Sequence, residues 1–509
     1  MPSVTLQEGE QEFSLDRAVD AHHHQFPYGK SLIHLVPSAG HKPPSGEVFP
    51  AVTQPSLVHV ESSEVEEADL PNPELQLPEG MSPMEKWLWL NQENPDFIAA
   101  DIAVNGFKIY WEDPRVTPPL IYVRDAIQSP NIPHTSRTQE DRLSIIVDDW
   151  EERAIVTSDL HKIPTHAHFS RLFGVVKDRT EIRPVIDLSI LNLYLKCPDL
   201  KMETLEKLLD LVQDPMWAAI IDVQDAFLSV KIAQEFQKFF CFILKKRVYM
   251  FLRMPFGLSP APWIFSRLMK TIKKFLRLRG VNINSFIDDF IVWARSYPLT
   301  VIHMNWTKQL LIWLGLTVNV KKSSVAPQQR IQYLGVILDL RHLTLQLPQD
   351  KIEKLLSLSK TVSSSLRVSR RTLESLVGLI IFSHSIIPLG RMHANPLIMW
   401  LNRHTSVNAR DALVDIDASL LQHLSPFLNR RLLQSKASFR KLVPDLIMMS
   451  DASDFGWSGV IMPYCIRDSW LLQEEQESIN WREMAAILYT ITFLKTKLQG
   501  RSVMIQTVW

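Results

Sequence analysis

Two adjacent aspartates interrupt an apolar run that favours β-strand, and this feature constrains the fold more than any other. The run extends from Ser285 to Trp293, with Asp288 and Asp289 near its centre. Burying an unpaired carboxylate costs several kcal/mol, and a like-charged neighbour adds to that cost. The run therefore predicts either a hairpin with the aspartates at an exposed tip or a pair whose charge is balanced by a cation.

A third aspartate ends a comparable run. Residues 216–221 have the pattern of a buried strand, and Asp222 follows directly. Phosphoryl transfer with two divalent ions needs carboxylates from separate strands that meet where the ions lie about 3.5–4 Å apart. Oxygen ligands with no His or Cys nearby favour Mg²⁺ over zinc. This interpretation requires the carboxyl groups of Asp222 and Asp288 to lie within roughly 8 Å, so that a shared ion pair can bridge them.

Adjacent aspartates alone do not indicate a metal site. The predicted helix that begins at Thr138 contains another such pair. Asp141 is its expected capping partner, and Asp148 and Asp149 are expected on its solvent side. Five residues at helical spacing predict its buried face: Leu143, Ile146, Val147, Trp150 and Ala154. Two more amphipathic helices are predicted at 349–366 and 369–387.

Six segments resemble, in the family's order, the motifs of reverse transcriptases. Ile221–Phe227 is similar to the first catalytic motif, and Phe286–Asp289 to the aromatic-x-Asp-Asp box, with Phe in place of the commoner Tyr. The others are similar to the fingers strand, the nucleotide- and template-contacting loop, the next motif and the primer-grip hairpin: Arg183–Asn192, Arg253–Pro262, Leu314–Ser323 and Tyr333–Val336. The resemblance implies an α+β right-hand polymerase fold with fingers, palm and thumb, and RNA-directed DNA polymerase activity.

The same resemblance implies roles for individual residues. Asp222 and Asp288 would bind two Mg²⁺ ions, or Mn²⁺ in their place, with Asp289 as the third carboxylate. Phe227 would lie under the incoming sugar and exclude a 2′-hydroxyl, unless it is an ordinary core residue. Arg183 would contact the nucleotide phosphates, for which a guanidinium is well suited, unless it forms a surface ion pair.

Further nucleotide contacts are implied at Asp225, Ala226, Phe256, Gly257, Lys322 and Lys177. Glycine at position 257 permits close approach of the backbone. Lys322 is a candidate proton donor to pyrophosphate and equally a solvated lysine. The turn at Lys177 departs from the family pattern Lys-Lys-Asp-Gly, since residues 176–179 are Val-Lys-Asp-Arg. The missing glycine indicates an altered grip on the triphosphate.

A second pair of acids lies near the C-terminus. Asp451 ends a strand pattern that resembles the start of a ribonuclease H domain, and Glu483 would be the second metal ligand. The alternative is that Asn480 caps a helix and Glu483 is its capping partner. Apolar residues Met484, Leu488 and Ile491 would line one side of that helix. The family's third acid is absent before Trp509, so we expect a truncated domain in which RNA cleavage is lost.

The chain is too long for a single core. Residues 1–80 hold 13 acidic and 3 basic residues, and the remainder holds 42 acidic and 52 basic ones, a balance that suits a polyanionic partner. Few apolar residues and nine prolines between positions 37 and 83 predict disorder. We expect an acidic Pro-rich disordered leader at 1–83, an N-terminal extension leading into the fingers at 84–165, fingers and palm at 166–345, thumb or connection helices at 346–440, and a partial ribonuclease H-like α/β domain at 441–509.

The combined motifs are most similar to DIRS-type retrotransposons, with gypsy-like elements as the next alternative. The expected partners are an RNA template, a DNA primer, their RNA–DNA hybrid and deoxynucleoside triphosphates, whereas the oligomeric state is left open. No segment is long and apolar enough to predict a membrane span, and three unpaired cysteines indicate an intracellular, cytoplasmic or nuclear protein that is not secreted. The competing hypothesis is a truncated, inactive retroelement relic that at most binds nucleic acid.

Overall fold

The structure is a computed structural model that describes residues 70–92, 96–128, 137–176, 182–404, 412–441 and 443–507, with the backbone of three short strands nearer the N-terminus. Its contacts separate two units. One comprises Ser62–Arg440, and the other joins Lys441–Trp509 with Met1–Glu61. None of the helices in the described part of the chain could span a lipid bilayer.

The predicted palm is a four-stranded antiparallel sheet. Its strands follow the spatial order Asn282–Phe286, Asp289–Ala294, Trp217–Gln224 and Thr317–Val318. Helices Ala261–Arg277 and Tyr297–Trp313 pack against it. Side chains of strand Trp217–Gln224 alternate between two hydrophobic cores. Ala219 and Ile221 belong to one core, and Ala218 belongs to the other. Burial on both faces explains why this strand is a nearly continuous apolar run.

Two small antiparallel sheets lie in the predicted N-terminal extension and fingers. They consist of Arg171–Val176 with Ile182–Asp187, and of Cys241–Leu244, Arg247–Phe251 and Val156–Thr157. Short elements complete this region: strands Ile121–Tyr122 and His166–Ala167, helices Phe97–Asn105, Val123–Ala126, Ser189–Asn192 and Leu205–Leu211, and 3₁₀ helices Phe227–Ser229 and Gln234–Phe239.

Helix Arg137–Glu152 packs on the fingers much as its spacing predicts. Three of the five expected apolar residues are fully buried: Leu143, Val147 and Trp150. Ala154 was a wrong assignment, because the helix ends at Glu152 and Ala154 is exposed with a φ of 51°. Thr138 does not open the helix, because the helix already includes Arg137, and the Asp141 carboxylate pairs with Lys245 Nζ at 2.8 Å.

The thumb or connection region combines a four-stranded antiparallel sheet with helices. The sheet order is Arg330–Tyr333, Val336–Asp339, Thr344–Gln346 and Ala437–Ser438. The helices are Gln349–Ser363, Arg370–Ser383, Gly390–His404, Ala418–Leu424 and Arg430–Leu433, with the 3₁₀ helix Ser425–Leu428. The first two are shorter than predicted: strand Arg367–Ser369, which pairs with Leu413–Asp415, separates them, and the second helix ends at Ser383 instead of residue 387.

Residues 70–82, predicted to belong to a disordered leader, are ordered against the palm. Trp306 Nε1 donates a hydrogen bond to Asn72 O, and Trp313 Nε1 donates one to Pro78 O, both at 3.0 Å. Ser82 then caps helix Pro83–Leu90. The prediction failed here because the two indole donors that satisfy this segment lie far away in sequence. The tract His22–His24 lies outside the described residues.

The smaller unit is a mixed sheet with one long helix. Its C-terminal strands are Gly456–Ile461 and Tyr464–Ser469, which pair antiparallel beside Leu446–Ala452, and Val503–Thr507, which pairs parallel to Leu446–Ala452. The backbone of His34–Leu35 adds to Tyr464–Ser469, and strands Thr5–Glu8 and Gln11–Ser14 extend the sheet. Helix Ile479–Phe493 packs on the sheet and is followed by Lys495–Leu498.

The cap and the buried face of this long helix both differ from the prediction. The N-cap is Ser478, whose Oγ accepts a hydrogen bond from Trp481 N at 3.3 Å, so Asn480 does not cap it. The apolar row formed by Met484, Leu488 and Ile491 is exposed. The helix instead buries small and polar residues, among them Ala486 and Thr490. Thr490 fits because Gly459 leaves no side chain on the facing strand.

Candidate active site

The three predicted palm aspartates come together in the structure. Asp222 lies directly opposite Asp289 in the register of strands Trp217–Gln224 and Asp289–Ala294. Directly opposed residues of antiparallel strands have Cβ atoms about 4.5–5.5 Å apart. Asp288 lies in the hairpin turn, where its carbonyl accepts a hydrogen bond from Val223 N at 3.0 Å. The backbone at position 288 is therefore adjacent to the strand of Asp222, and the negative charge of Asp222 acts on the Asp288 carboxyl group.

These carboxylates lie in an electrostatically unfavourable environment. Burial, followed by the negative charges of Asp288 and Asp222, raises the pKa of Asp289 to about 6. Burial also raises the pKa of Asp288, and the charge of Asp222 adds to this effect. Lys322 provides partial compensation, because its exposed Nζ lies 3.6 Å from Asp222 Oδ2. A single solvated ammonium balances three acids incompletely, so the cluster favours bound cations.

The donor set fits a divalent cation that shares its ligands with a substrate. Within the described residues, no group of three or more His, Cys, Asp or Glu side chains is arranged to hold a metal ion by itself. Mg²⁺ usually takes one or two carboxylates and completes its octahedral shell with water and substrate phosphates. The pair Asp222 and Asp289, with Asp288 alongside, supplies this kind of partial shell.

Polar groups that the sequence interpretation did not single out hold the strand of Asp222. Ser323 Oγ accepts a hydrogen bond from Asp222 N at 3.0 Å, and Ser324 Oγ accepts one from Ile220 N at 2.9 Å. Asn319 N donates to Asp222 O at 2.8 Å. The segment that follows strand Thr317–Val318 thus continues the edge of the sheet with hydroxyl groups. In the sequence, the only indication of this role was that Ser323 and Ser324 directly follow Lys322, which belongs to one of the family-like motifs.

A tyrosine supports the facing strand. Tyr333 lies in the turn end of the predicted primer-grip hairpin and is 3% exposed. Its hydroxyl donates a hydrogen bond to the backbone carbonyl of Asp289 at 3.2 Å. Burial raises the pKa of Tyr333, so the phenol stays protonated and remains a donor. The hairpin therefore fixes the main chain at the second aspartate.

Two predicted nucleotide contacts form one aromatic surface. The rings of Phe227 and Phe256 lie 5.4 Å apart between centroids, and Phe265 meets Phe227 edge-on at 5.8 Å. Phe256 is 40% exposed, whereas Phe227 is partly buried. Ala226 is buried beside them. The exposed edge of this surface is available to a planar or sugar group.

Asp225 is engaged in an ion pair that the sequence interpretation missed. Its Oδ2 lies 2.8 Å from Arg153 Nη2, and Arg153 also binds Asp149 at 3.1 Å. Asp225 has a φ of 52°, which turns the chain sharply after the strand of Asp222. The pair ties this turn to the end of the fingers helix.

The loop that contains Gly257 is held tightly. Its φ is +93°, and a Cβ atom there would lie 3.1 Å from Ile186 O. Asn192 holds the loop on both sides of Leu258, since its Nδ2 donates to Gly257 O and its Oδ1 accepts from Ser259 N, each at 2.9 Å. Glycine is therefore required here both for its backbone conformation and for the approach of the fingers strand.

One of the two predicted triphosphate contacts lies on an exposed strand. Arg183 is exposed on strand Ile182–Asp187 and lies opposite Val175. Lys177, the other predicted contact, lies outside the described residues. Arg183 is thus positioned on a surface that can reach a ligand.

The two acids of the C-terminal unit have different environments. Asp451 is exposed and lies opposite Ser458, which in turn lies opposite Arg467. Glu483 is only 7% exposed, and its Oε2 has no hydrogen-bond partner among the described residues. Ser450, the residue before Asp451, is buried, and successive side chains of a strand point to opposite faces. The two carboxylates therefore do not share one exposed surface.

A family model matches the part of the chain that contains the palm aspartates. Residues 175–338 match the family described as Reverse transcriptase (RNA-dependent DNA polymerase). This range includes Asp222, Asp288 and Asp289 together with the aromatic surface and Lys322.

Two curated polyproteins are similar to part of the chain. The Enzymatic polyprotein of Figwort mosaic virus (strain DxS) is 23% identical over 301 residues, which are 58% of this chain and 42% of that polyprotein. The Transposon Tf2-3 polyprotein of Schizosaccharomyces pombe is 23% identical over 274 residues, which are 52% of this chain and 20% of that polyprotein. The chain thus spans less than half the length of these relatives.

Solved structures of a foamy viral protease-reverse transcriptase share the fold. One, a dRH form in complex with ds DNA, has a TM-score of 0.55 at 13% identity, and the alignment covers 86% of this chain and 76% of the foamy viral chain. Another, in complex with an RNA/DNA hybrid, has a TM-score of 0.53 at 13% identity, and the alignment covers 85% of this chain and 58% of the foamy viral chain. The predicted right-hand polymerase fold is confirmed.

Proposed function

We propose that this chain, whose residues 175–338 match the reverse transcriptase family, is an RNA-directed DNA polymerase that extends a primer 3′-hydroxyl with deoxynucleotides. The observation that carries the proposal is the direct opposition of Asp222 and Asp289, with Asp288 beside them, inside that domain. Buried like charges on facing strands are unfavourable without cations. A two-metal nucleotidyl transfer site accounts for their presence.

The palm acids would hold two divalent ions, Mg²⁺ or alternatively Mn²⁺. Bound there, such ions lower the pKa of the primer hydroxyl and stabilise the charge on the leaving pyrophosphate. Asp222 and Asp288 would bind them, and Asp289 would be the auxiliary carboxylate. Lys322 is the candidate proton donor to pyrophosphate, because its ammonium is exposed and lies 3.6 Å from Asp222.

The aromatic surface would select and seat the nucleotide. Phe227 would lie under the sugar and exclude a 2′-hydroxyl, held by its edge-on contact with Phe265. Phe256 would contact the nucleotide, and Gly257 would let the backbone approach the template. Arg183 and Lys177 would bind the triphosphate from the fingers hairpin.

The proposed partners are an RNA template, a DNA primer and their hybrid, with deoxynucleoside triphosphates as substrates. The related foamy viral structures are complexes with ds DNA and with an RNA/DNA hybrid. The polyprotein relatives come from a virus and from a transposon, which supports a retroelement origin. We assign the chain to a DIRS-type element, or alternatively to a gypsy-like one, on the motifs of the palm and the C-terminal unit.

The C-terminal unit is proposed to be ribonuclease H-like, with RNA cleavage lost. Support comes from the different environments of Asp451 and Glu483, one exposed and the other 7% exposed, on surfaces that do not coincide. The test is incubation of an RNA–DNA hybrid with the chain and Mg²⁺ or Mn²⁺. Metal-dependent RNA cleavage that disappears in Asp451→Asn would contradict this part of the proposal.

The polymerase proposal is tested by primer extension on an RNA template with deoxynucleotides and Mg²⁺. We expect the wild type to extend the primer, and Asp222→Asn and Asp289→Asn each to lower the rate by at least about a thousandfold. Asp148→Asn is the matched control, because Asp148 belongs to an exposed pair of adjacent aspartates on the fingers helix. Its activity should equal that of the wild type.

The alternative is an inactive retroelement relic that binds nucleic acid without copying it. A folded wild type that binds the RNA–DNA hybrid but extends no primer with Mg²⁺ or Mn²⁺ would refute the polymerase proposal and support the relic. Equal loss of activity in Asp148→Asn and Asp222→Asn would also count against the assigned site.

A further inference from the structure

The hairpin that bears Asp288 and Asp289 is formed by an edge strand of the palm sheet. Strand Asn282–Phe286 pairs on one side with Asp289–Ala294, and Phe286 lies opposite Asp289 across a two-residue turn. In antiparallel pairing, alternate residues direct their backbone groups away from the partner strand. In this strand those residues are Ile283 and Ser285. Unpaired edge groups leave a strand free to shift unless other groups bind them.

An arginine binds one of these outward groups. Arg277, the last residue of helix Ala261–Arg277, donates to Ile283 O from Nε at 3.1 Å and from Nη2 at 2.7 Å. The same Nη2 donates to Glu203 Oε1 at 3.1 Å. Two donors on one carbonyl fix the distance and direction of the guanidinium in a way that a single contact does not.

Glu203 connects the arginine to the strand and to the helix. Its Oε2 accepts from Lys273 Nζ at 2.7 Å and, at 3.4 Å, from Ser285 N, which also donates to Asn284 Oδ1 at 2.7 Å. Lys273 is 7% exposed and lies one helical turn before Arg277, so both cations lie on the same face of their helix. The acid is therefore held by the two cations and reaches the strand by a longer contact.

Arg277, Glu203 and Lys273 lie at one edge of the palm sheet, and Ser323 and Ser324 lie at the opposite edge. The sheet runs from Asn282–Phe286 at one edge to Thr317–Val318 at the other, and side chains bind outward backbone groups at both. Phe286 leads directly into the turn with Asp288, so a displaced edge strand displaces the hairpin tip. A misplacement of about 1 Å from a change far from the chemistry can cost roughly a hundredfold in rate.

We propose that Arg277 is a positioning residue for the polymerase reaction and that, supported by Glu203, it fixes the edge strand and hence the placement of Asp288 and Asp289 against Asp222. This inference rests on the proposed function and goes beyond it, because none of the motifs assigns a role to Arg277 or Glu203.

The test compares three variants of the full chain. Arg277→Gln removes both donors to Ile283 O and keeps the ion pair of Lys273 with Glu203. Arg277→Lys keeps the charge and loses the planar fork. Arg279→Gln is the matched control, because Arg279 donates to Phe275 O of its own helix at 3.1 Å. We measure kcat per titrated active site, KM for deoxynucleotides, the Mg²⁺ concentration for half-maximal rate, and hydrogen exchange of residues 282–294.

A positioning role predicts a specific pattern. Arg277→Gln should lower kcat about tenfold or more and raise the half-maximal Mg²⁺ concentration several-fold, with KM within about twofold of the wild type. Arg277→Lys should recover part of the loss, and hydrogen exchange of the hairpin should be faster in Arg277→Gln than in Arg279→Gln. A purely structural role would instead reduce the active fraction and leave kcat and the Mg²⁺ response of the remaining sites unchanged.

The outcomes separate this inference from the proposed function. If the wild type polymerises and Arg277→Gln matches Arg279→Gln in kcat, Mg²⁺ response and exchange, only the inference is overturned. If the wild type extends no primer, the proposed function fails, and the exchange data still decide whether Arg277 fixes the hairpin. Equal exchange in both variants would then overturn the positioning role as well.

Discussion

Asp222 and Asp289 lie directly opposite each other on neighbouring antiparallel strands, although they are far apart in the sequence. Like charges in this arrangement destabilise a sheet. The structure retains them by holding both main chains firmly, with Ser323 at Asp222 N and Tyr333 at Asp289 O. The energetic cost of the opposed acids is relieved when cations bind, which makes metal affinity sensitive to their protonation.

Metal affinity should therefore depend on pH through Asp289. Its pKa is raised to about 6, mainly by burial and then by the charges of Asp288 and Asp222. Below pH 6 this carboxyl is largely protonated, so affinity for Mg²⁺ should fall up to about tenfold per pH unit, and it should level off above about pH 7. Calorimetric titration of the chain with Mg²⁺ at pH 5, 6 and 7.5 measures this dependence.

The raised pKa of Asp289 also determines how the stability of the metal-free protein changes with pH. The folded pKa of Asp289 lies above that of an unfolded aspartate, so ionisation disfavours the fold. Stability should decrease as the pH rises from about 4 through about 6, and Mg²⁺ should reverse the loss above that range. Asp289→Asn should show a smaller pH step in thermal unfolding, and the remainder should come from Asp288, whose pKa burial also raises. A step of equal size in the variant would rule out Asp289 as its source.

Sugar selection should depend on the ring of Phe227. Phe227→Ala removes the group proposed to clash with a 2′-hydroxyl, so the preference for deoxynucleotides over ribonucleotides should fall by at least about tenfold in kcat/KM. Phe275→Leu is the control, since Phe275 lies on the same helix as Phe265 but packs against Trp89. An unchanged preference in Phe227→Ala, measured by extension with each nucleotide type, would refute this role.

The two serines beside the palm strand offer a matched pair of variants. Ser323→Ala leaves Asp222 N without its hydroxyl acceptor, and Ser324→Ala does the same for Ile220 N. Each should lower stability by about 1–3 kcal/mol, the cost of an unsatisfied buried donor. Only Ser323→Ala should also lower kcat and weaken the response to Mg²⁺, because its contact is made at Asp222, the proposed metal ligand. Equal kinetic effects would show that both serines act through stability alone.

Elements marked by a local pattern of apolar and acidic residues could be predicted from the sequence. Contacts between residues that are distant in the sequence could not. The apolar runs before Asp222 and around Asp288 identified both palm strands and the hairpin, because a strand buried on two faces tolerates an acid only at its end or turn. Nothing local indicates that Glu203 and Arg277 meet at the edge strand, since that contact depends on the path of the intervening chain.

What the pattern left undecided has the same physical origin. Met484 and Leu488 line one side of their helix as expected, but that side is exposed, and the helix buries Thr490 against Gly459. Spacing identifies the sides of a helix but does not decide which one the sheet covers. Residues 70–82 are held by distant partners: Trp306 and Trp313 donate to their backbone, and Leu70, Leu75 and Leu77 pack against the core.

Finally, Gly257 should be required for more than its backbone conformation. Gly257→Ala places a Cβ 3.1 Å from Ile186 O, whereas Gly280→Ala has a similar positive φ with no atom within 4 Å. Both variants should lose roughly 1–2 kcal/mol from the left-handed conformation. Gly257→Ala should lose about 1 kcal/mol more and raise KM for nucleotide, because the fingers strand must move away from the loop. Denaturant unfolding and steady-state primer extension measure both effects, and an equal KM in the two variants would show that the contact with Ile186 does not shape the nucleotide site.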